Sequence, residues 1–174
     1  MSTTAAIPRI AFLLGLAVFA LAACNPFAPE IDEGDAGSVP IVTDHTTIDG
    51  VFQNFRYAYS FQDTTIYGEL LHPEFTFTYT DYDKSIDVSW GRDEEMSITS
   101  RLFDNAQSFN LVWNNIVSQA GDTLQVNVTR SFNLTVTFSA NDIVRVDGRV
   151  NLDLVRPRAT DPWRILNWRD ESNF

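Results

Sequence analysis

Residues 124–155 read LQVNVTRSFNLTVTFSANDIVRVDGRVNLDLV, and apolar residues occupy alternate positions through most of this stretch. A period of two is typical of strands that bury one face against a core. The turn residues from Ser139 to Asp142 divide the stretch into two long strands. A similar alternation precedes it at residues 109–113, and a last strand follows around Trp163, Ile165 and Trp168. The pattern predicts an antiparallel meander of four long strands, whose apolar face another layer must cover.

Helical spacing is found earlier in the chain. Thr46 or Thr47 can cap a first helix, whose apolar stripe consists of Ile48, Val51, Phe52, Phe55 and Tyr59. Asp63 can cap a second, short helix that Pro73 ends. Phe75, Phe77 and Tyr79 alternate with threonines and predict a short strand. After a polar loop from Asp81 to Ser89, Trp90 and Asp93 introduce a third helix. We therefore expect an α+β domain with three N-terminal helices packed on a curved antiparallel sheet of four long strands plus a short one.

The N-terminus predicts export from the cytoplasm. Arg9 precedes an uncharged apolar run from Ile10 to Leu21, which is too short to span a bilayer comfortably. The run ends in small residues, as a signal peptide does. Its last residues, Leu21-Ala22-Ala23-Cys24, resemble the lipobox of bacterial lipoproteins. That resemblance implies a diacylglycerol thioether on Cys24, cleavage before it and acylation, such as by palmitate, of the new amino terminus. The alternative is an ordinary signal peptide or an N-terminal anchor helix with a coincidental cysteine.

The chain is accordingly expected to consist of a lipoprotein signal peptide (1–23), an acidic tether rich in proline and glycine (24–45) and a folded domain (46–174). Asn25, rather than aspartate, follows the cysteine, and this resembles the sorting signal for the outer membrane of the cell envelope. The net charge of -11 argues against nucleic-acid binding, because an acidic surface repels phosphate backbones. Cys24 is the only cysteine, so lipidation would leave no thiol for chemistry.

Two short sequences provide a second resemblance. Leu70-Leu71-His72-Pro73-Glu74-Phe75 is similar to the passage from helix to first strand in the NTF2-like superfamily, which includes SnoaL-like and ketosteroid-isomerase-like proteins. Trp163-Arg164-Ile165-Leu166-Asn167-Trp168-Arg169-Asp170 is similar to the terminal strand of that superfamily. The resemblance covers residues 46–174 and implies a cone-shaped cavity between sheet and helices, of the kind that binds small apolar molecules. A lipocalin-like barrel is the competing fold, which the three early helices disfavour.

Five aromatic residues are candidates for lining such a cavity, although aromatic residues at core spacing more often fill one: Tyr59, Tyr79, Trp90, Trp113 and Trp168. Asp170 and His72 are the candidate acid–base residues, but the catalytic positions of the superfamily's isomerases do not map onto this sequence. Asp170 could instead form a salt bridge with an arginine, and His72 could bond carbonyls at a helix end. Glu94 and Glu95 fit the first turn of the third helix, near its positive dipole end.

Other kinds of chemistry lack their signatures. The cluster of Asp81, Asp83 and Asp87 resembles the opening of an EF-hand, but Ile86 stands where glycine is needed, so an exposed loop is the better interpretation. Two histidines and one lipidated cysteine make a metal site unfavourable. No Gly-rich phosphate loop, nucleophile elbow or metalloprotease motif is present, and we expect no cofactor.

The sequence thus favours an envelope protein, held to the membrane through Cys24, that binds a small apolar ligand or an envelope protein without catalysis. The first alternative is a SnoaL-like or ketosteroid-isomerase-like enzyme that uses the cavity for acid–base chemistry. The second alternative is a structural component of an envelope complex, with a homodimer formed across the open face of the sheet.

Overall fold

The structure is a computed structural model that describes residues 42–171. The predicted signal peptide, Cys24 and most of the predicted tether lie outside these residues. Within them the elements are α1 (Ile48–Phe61), α2 (Thr64–Leu70), β1 (Leu71–Asp81), β2 (Ile86–Gly91), α3 (Arg92–Asn105), β3 (Ser108–Gly121), β4 (Gln125–Ser139), β5 (Asp142–Val155) and β6 (Arg164–Asp170). Of the helices in this described part, none combines the length and the apolar character that crossing a membrane requires.

The six strands form one sheet in the order β2-β1-β6-β5-β4-β3. The predicted meander is present, because β3, β4, β5 and β6 pair with their neighbours in antiparallel fashion. β1 lies beside β6 in parallel and pairs on its other side with β2. β6, the last strand of the meander, therefore also pairs with β1 of the β1–β2 hairpin. The sheet is mixed rather than wholly antiparallel.

The strand count and one helix end differ from the prediction. We assigned most of residues 86–91 to a polar loop, but these residues form β2, so the sheet has six strands instead of five. β1 is eleven residues long rather than short. β2 lies at the sheet edge and buries little, although Ile86, Val88 and Trp90 alternate with polar residues along it. α2 ends at Leu70, before Pro73, because the residue preceding a proline favours extended backbone. Pro73 itself lies within β1.

Side-chain caps place the two N-terminal helices as predicted. Thr47 Oγ1 accepts the Gly50 N–H at 3.0 Å at the start of α1. Asp63 Oδ1 accepts the Thr65 and Ile66 N–H groups at 2.9 and 3.0 Å at the start of α2. These bonds satisfy backbone donors that a helix leaves without partners in its first turn.

Residues 43 and 45, which precede the predicted boundary at residue 46, already bond to the folded part of the chain. The Thr43 N–H donates to Asn54 Oδ1 at 2.7 Å, and Asn54 Nδ2 donates to the Thr43 carbonyl at 2.8 Å. The Trp163 N–H donates to the His45 carbonyl at 3.0 Å. His45, which we placed in the tether, is therefore half-buried against α1, and this burial lowers its pKa.

The core lies between the helices and one face of the sheet, and it is packed unevenly along the strands. Val128 of β4 and Leu152 of β5 are paired in register and are fully buried. Further along the same two strands, the paired residues Leu134 and Val146 are only half-buried. One end of the cone is thus solid, and the other end encloses free space.

Candidate ligand-binding cavity

A cavity of about 360 Å³ occupies the wide end of the cone. Both long helices and all six strands contribute to its wall, which consists of Phe55, Tyr59, Phe77, Trp90, Glu95, Ile98, Thr99, Leu102, Leu111, Trp113, Phe132, Leu134, Val146, Val150, Trp168 and Asp170. This volume lies within the range of small-molecule sites, which combine apolar walls with a few polar groups.

An unbroken series of aromatic contacts forms much of the wall. Trp90 stacks on Phe77 with ring centroids 4.4 Å apart, and Phe77 meets Trp168 edge to face at 5.2 Å. Phe55 then contacts Trp168 at 5.3 Å and Trp113 at 5.4 Å. These offset and edge-to-face arrangements are the favoured ones for aromatic pairs, and they hold each ring in a fixed orientation.

Glu95 is the principal polar residue of the wall, whereas its sequence context predicted only a place in the first turn of the third helix. Its side chain is 5% exposed. Oε1 accepts hydrogen bonds from the Tyr67 hydroxyl at 2.6 Å and the Thr99 hydroxyl at 3.0 Å, and Oε2 accepts one from Trp90 Nε1 at 2.7 Å. Three donors thus hold one carboxylate in place.

The helical period contains the signal that could have identified Glu95. Glu95, Thr99 and Phe103 are spaced by four residues on α3, and all three are buried. A glutamate on the same stripe as a core phenylalanine must face the interior. Glu95 was not recognised as an interior residue because it lies near the helix start. Acidic residues are common there, since they interact favourably with the helix dipole.

Two buried tyrosines, Tyr59 and Tyr67, lie near the Glu95 carboxylate. Burial raises the pKa of Tyr59 and of Tyr67 well above the ordinary value, and the negative charge of Glu95 adds to the effect at both. Both hydroxyls consequently stay protonated at neutral pH and can act as hydrogen-bond donors. Tyr59 lines the cavity, whereas Tyr67 lies behind Glu95 and is fully buried.

Asp170 and Trp168 bring further polar atoms to the wall from β6. Asp170 is half-buried and lies in register with Tyr79 of β1 and Val150 of β5. The neighbouring Arg169 points elsewhere, because its guanidinium pairs with Asp87 at 3.2 Å on the exposed side. Trp168 Nε1 is buried and finds no hydrogen-bond acceptor within residues 42–171. A buried donor is normally hydrogen-bonded, and the described chain provides no acceptor for this one.

The structure brings together five of the seven predicted site residues. Tyr59, Trp90, Trp113, Trp168 and Asp170 all line the cavity. Tyr79 does not line it and instead packs behind Trp90 at 5.7 Å. His72 lies in a separate surface groove with Arg156 and Arg164, where its Nδ1 accepts the Glu74 N–H at 3.1 Å. His72 and Asp170 therefore do not form one catalytic site, and no helix carbonyl binds His72 as we had considered.

The predicted acidic cluster forms ion pairs rather than a cation site, and Asp87 pairs with Arg169 of β6. Asp81 forms an ion pair with Lys84 at 2.7 Å in the turn between β1 and β2. Within residues 42–171, no three His, Cys, Asp or Glu side chains converge in a geometry that could hold a metal ion.

Comparison with solved structures shows where this architecture occurs. A protein from Kribbella flavida superimposes with a TM-score of 0.63 at 12% identity, covering 75% of this chain and 91% of that one. A scytalone dehydratase-like protein from Novosphingobium aromaticivorans gives 0.62 at 11% identity, covering 73% and 82%. A type 2 hexachlorocyclohexane dehydrochlorinase gives 0.59 at 8% identity, covering 73% and 83%.

No protein-family model matches the sequence, and no curated protein matches it significantly. The structural neighbours are NTF2-like and SnoaL-like proteins, and some of them are enzymes. At such low identities the likeness establishes the fold and no activity. The described chain therefore has an NTF2-like fold, as the element order and the two local sequences predicted.

Proposed function

We propose that this chain is a lipid-anchored envelope protein that binds a small, mainly apolar molecule in the conical cavity. The observation that carries the proposal is the free volume of about 360 Å³ inside a wall of ordered aromatic rings. Protein interiors are normally packed to the density of organic crystals, so a cavity of this size at a core position favours an occupant.

The polar atoms of the wall support recognition of an oriented ligand. Glu95 and Asp170 bring carboxylate oxygens to this wall, and Tyr59 brings a hydroxyl. A few fixed polar groups on an apolar surface determine how a ligand lies and which ligand is accepted.

The envelope location is supported by the sequence at Cys24 and the acidic tether that follows it. A lipid on Cys24 would keep the domain near a membrane, where apolar molecules partition. The test is replacement of Cys24 by serine in the intact precursor, followed by membrane fractionation. We expect the wild-type protein in the membrane fraction and the variant outside it. Membrane association that survives the substitution would contradict lipid anchoring at this residue.

Ligand binding is tested by native mass spectrometry of the chain from position 24 onward, carrying Cys24→Ser. We expect a small molecule bound at one copy per chain, which is lost when the protein is denatured. If the protein is ligand-free as purified and also after exposure to a panel of small aromatic compounds, the binding proposal is wrong.

An acid–base enzyme is the second candidate, favoured by one specific observation. The cavity places the Asp170 carboxylate and the neutral hydroxyl of Tyr59 in the same apolar wall, which is the pairing that proton transfer requires. Asp170 would act as the base and Tyr59 as the donor to a developing negative charge. Glu95 would hold Tyr67, Trp90 and Thr99 in place rather than transfer a proton, because both of its oxygens are already engaged.

A weakly acidic aromatic ketone provides the test of this second candidate. Incubation of 2-tetralone with the protein in D₂O should speed deuterium uptake at C1, as followed by proton NMR. Asp170→Asn should return the rate to that of the buffer. Uptake at the buffer rate with the unaltered protein would count against enzymatic proton transfer and would leave the binding proposal in place.

A further inference from the structure

We infer that the ligand of the cavity is an organic cation, namely an apolar molecule that carries a protonated amine or a quaternary ammonium group. This inference rests on the proposed function and specifies its ligand class. The observations behind it are the charge balance of the cavity wall, the orientation of the aromatic rings and the charge of the whole chain.

The charge balance of the wall is negative. Glu95 and Asp170 are the charged residues among those that line the cavity, and none of the lining residues is lysine, arginine or histidine. The three groups that hold Glu95 are a phenol, an alcohol and an indole, all of which are neutral donors. In a cavity lined mainly by apolar side chains, a carboxylate attracts a cation more strongly than it does in bulk water.

The aromatic wall adjoins this charge directly. Trp90 donates its Nε1 proton to Glu95 at 2.7 Å and at the same time stacks its ring on Phe77 at 4.4 Å. The faces of tryptophan and phenylalanine rings carry partial negative charge and attract cations, most strongly where water is excluded. Trp90 therefore places an aromatic ring directly beside the Glu95 carboxylate in the cavity wall.

The overall charge acts in the same direction. A net charge of -11 surrounds the cavity with negative potential, which raises the local concentration of cations and lowers that of anions. An anionic ligand would have to enter against this field and then lie beside Glu95 and Asp170, in a wall whose lining residues include no lysine, arginine or histidine. A neutral ligand would use only the apolar part of the wall.

Two probes of the same shape separate these cases, phenyltrimethylammonium and tert-butylbenzene. Three of the four tryptophans line the cavity, so binding of either probe can be followed by tryptophan fluorescence. The protein is the chain from position 24 onward with Cys24→Ser. We expect the cation to bind at least tenfold more tightly than its neutral analogue.

The variants test whether that preference arises in the cavity. Glu95→Gln and Asp170→Asn should each reduce the ratio of the two affinities severalfold, while Asp83→Asn, an exposed carboxylate outside the wall, should leave it unchanged. If Glu95→Gln fails to fold, the affinities of the two probes for the unaltered protein and for Asp170→Asn still test the inference. Equal affinities for both probes would overturn the cation inference and leave small-molecule binding intact. If neither probe binds, both the cation inference and the proposal of small-molecule binding are wrong. If both cavity variants retain the preference for the cation, the preference arises from the overall charge of the protein and the cation inference is wrong.

Discussion

At the scale of single residues, Glu95 and its donors make the cavity wall rigid. Tyr67 is fully buried and donates to Glu95 Oε1 at 2.6 Å. Replacing Tyr67 with phenylalanine removes one of the three donors while preserving the shape of the ring. Because a buried charged acceptor then lacks a partner, we expect the free energy of unfolding to fall by about 1–3 kcal/mol. Urea denaturation followed by circular dichroism measures this change.

Tyr82→Phe is the matched control, since the same hydroxyl is removed from a side chain that is 64% exposed. Its effect should stay within about 0.5 kcal/mol, as is usual at the surface. If the two variants proved equally stable, the hydrogen bond to Glu95 would contribute nothing to folding.

The raised pKa of Tyr59 and of Tyr67 predicts a loss of stability in alkali. Above pH of about 10 the unfolded chain loses these protons while the folded chain retains them, so unfolding becomes easier as pH rises. Below that pH the contribution is fully present. Each such tyrosine should lower the free energy of unfolding by about 1.4 kcal/mol per pH unit.

Urea denaturation between pH 9 and pH 11.5 tests the sign and the size of this effect. Tyr59→Phe removes one of the two groups, so its stability should decline less steeply than that of the unaltered protein, by about 1.4 kcal/mol per pH unit. An identical slope in the two proteins would show that Tyr59 ionises as readily when folded as when unfolded.

The residues of the cavity could be foreseen only in part from the sequence. Trp90, Trp113 and Trp168 were recognisable because large aromatic residues on the alternating face of a strand generally face a core or a cavity. Glu95 was missed because a glutamate in a first helical turn has an ordinary explanation in the helix dipole. His72 was chosen for its chemical type, and its position in β1 directs it away from the cavity.

At the scale of elements, local signals predicted α1 and α2 well because each of them starts with a side-chain cap, whereas Gly91 before α3 provides none. Asp63 satisfies two N–H groups at the start of α2, which is only seven residues long. Asp63→Ala should therefore lower the free energy of unfolding by about 1–2 kcal/mol, and Asp63→Asn should recover most of the loss because its amide oxygen can accept the same bonds. Thermal or urea unfolding of the two variants makes the comparison.

Asp83→Ala provides the control for this prediction, because Asp83 is an exposed residue of the turn between β1 and β2. It should change the stability little. Equal losses in Asp63→Ala and Asp63→Asn would indicate that charge, rather than capping, is what Asp63 contributes.

Strand pairing was less accessible to prediction than the elements themselves. The meander follows from consecutive strands joined by short turns, and β3 to β6 pair in that way. The parallel contact of β1 with β6 joins Phe77 to Trp168, which are far apart in the chain. Nothing in the local pattern of either strand specifies its distant partner, since alternation states only which face is buried. β2 was missed although Ile86, Val88 and Trp90 alternate with polar residues, because this run is short and follows directly on a polar turn.

At the scale of the whole molecule, the same alternating pattern builds both a solid core and a hollow one. Val128 and Leu152 fill the narrow end of the cone, whereas Leu134 and Val146 on the same strands face open volume. The difference arises from the distance between the sheet and the helices, which curvature sets and which no single strand encodes. For this reason the sequence predicted a cone without deciding whether it was empty.

Filling a cavity that is kept open for a ligand should maintain or raise the stability of the protein but weaken ligand binding. A substitution at Val146 allows both effects to be measured. Val146→Phe places additional apolar volume in the wide end of the cone, so we expect the free energy of unfolding to stay equal or to rise by up to about 1 kcal/mol. The affinity for phenyltrimethylammonium should fall at least tenfold, because the ring would occupy the space of the ligand.

Val112→Phe is the control, since Val112 lies on β3 between two lining residues but is 45% exposed on the other face of the strand. It should leave the affinity unchanged. A loss of about 1–3 kcal/mol in Val146→Phe would instead be the signature of overpacking. In that case the wide end of the cone would be filled by the protein's own side chains in solution, and neither a cationic nor a neutral ligand would have a site there.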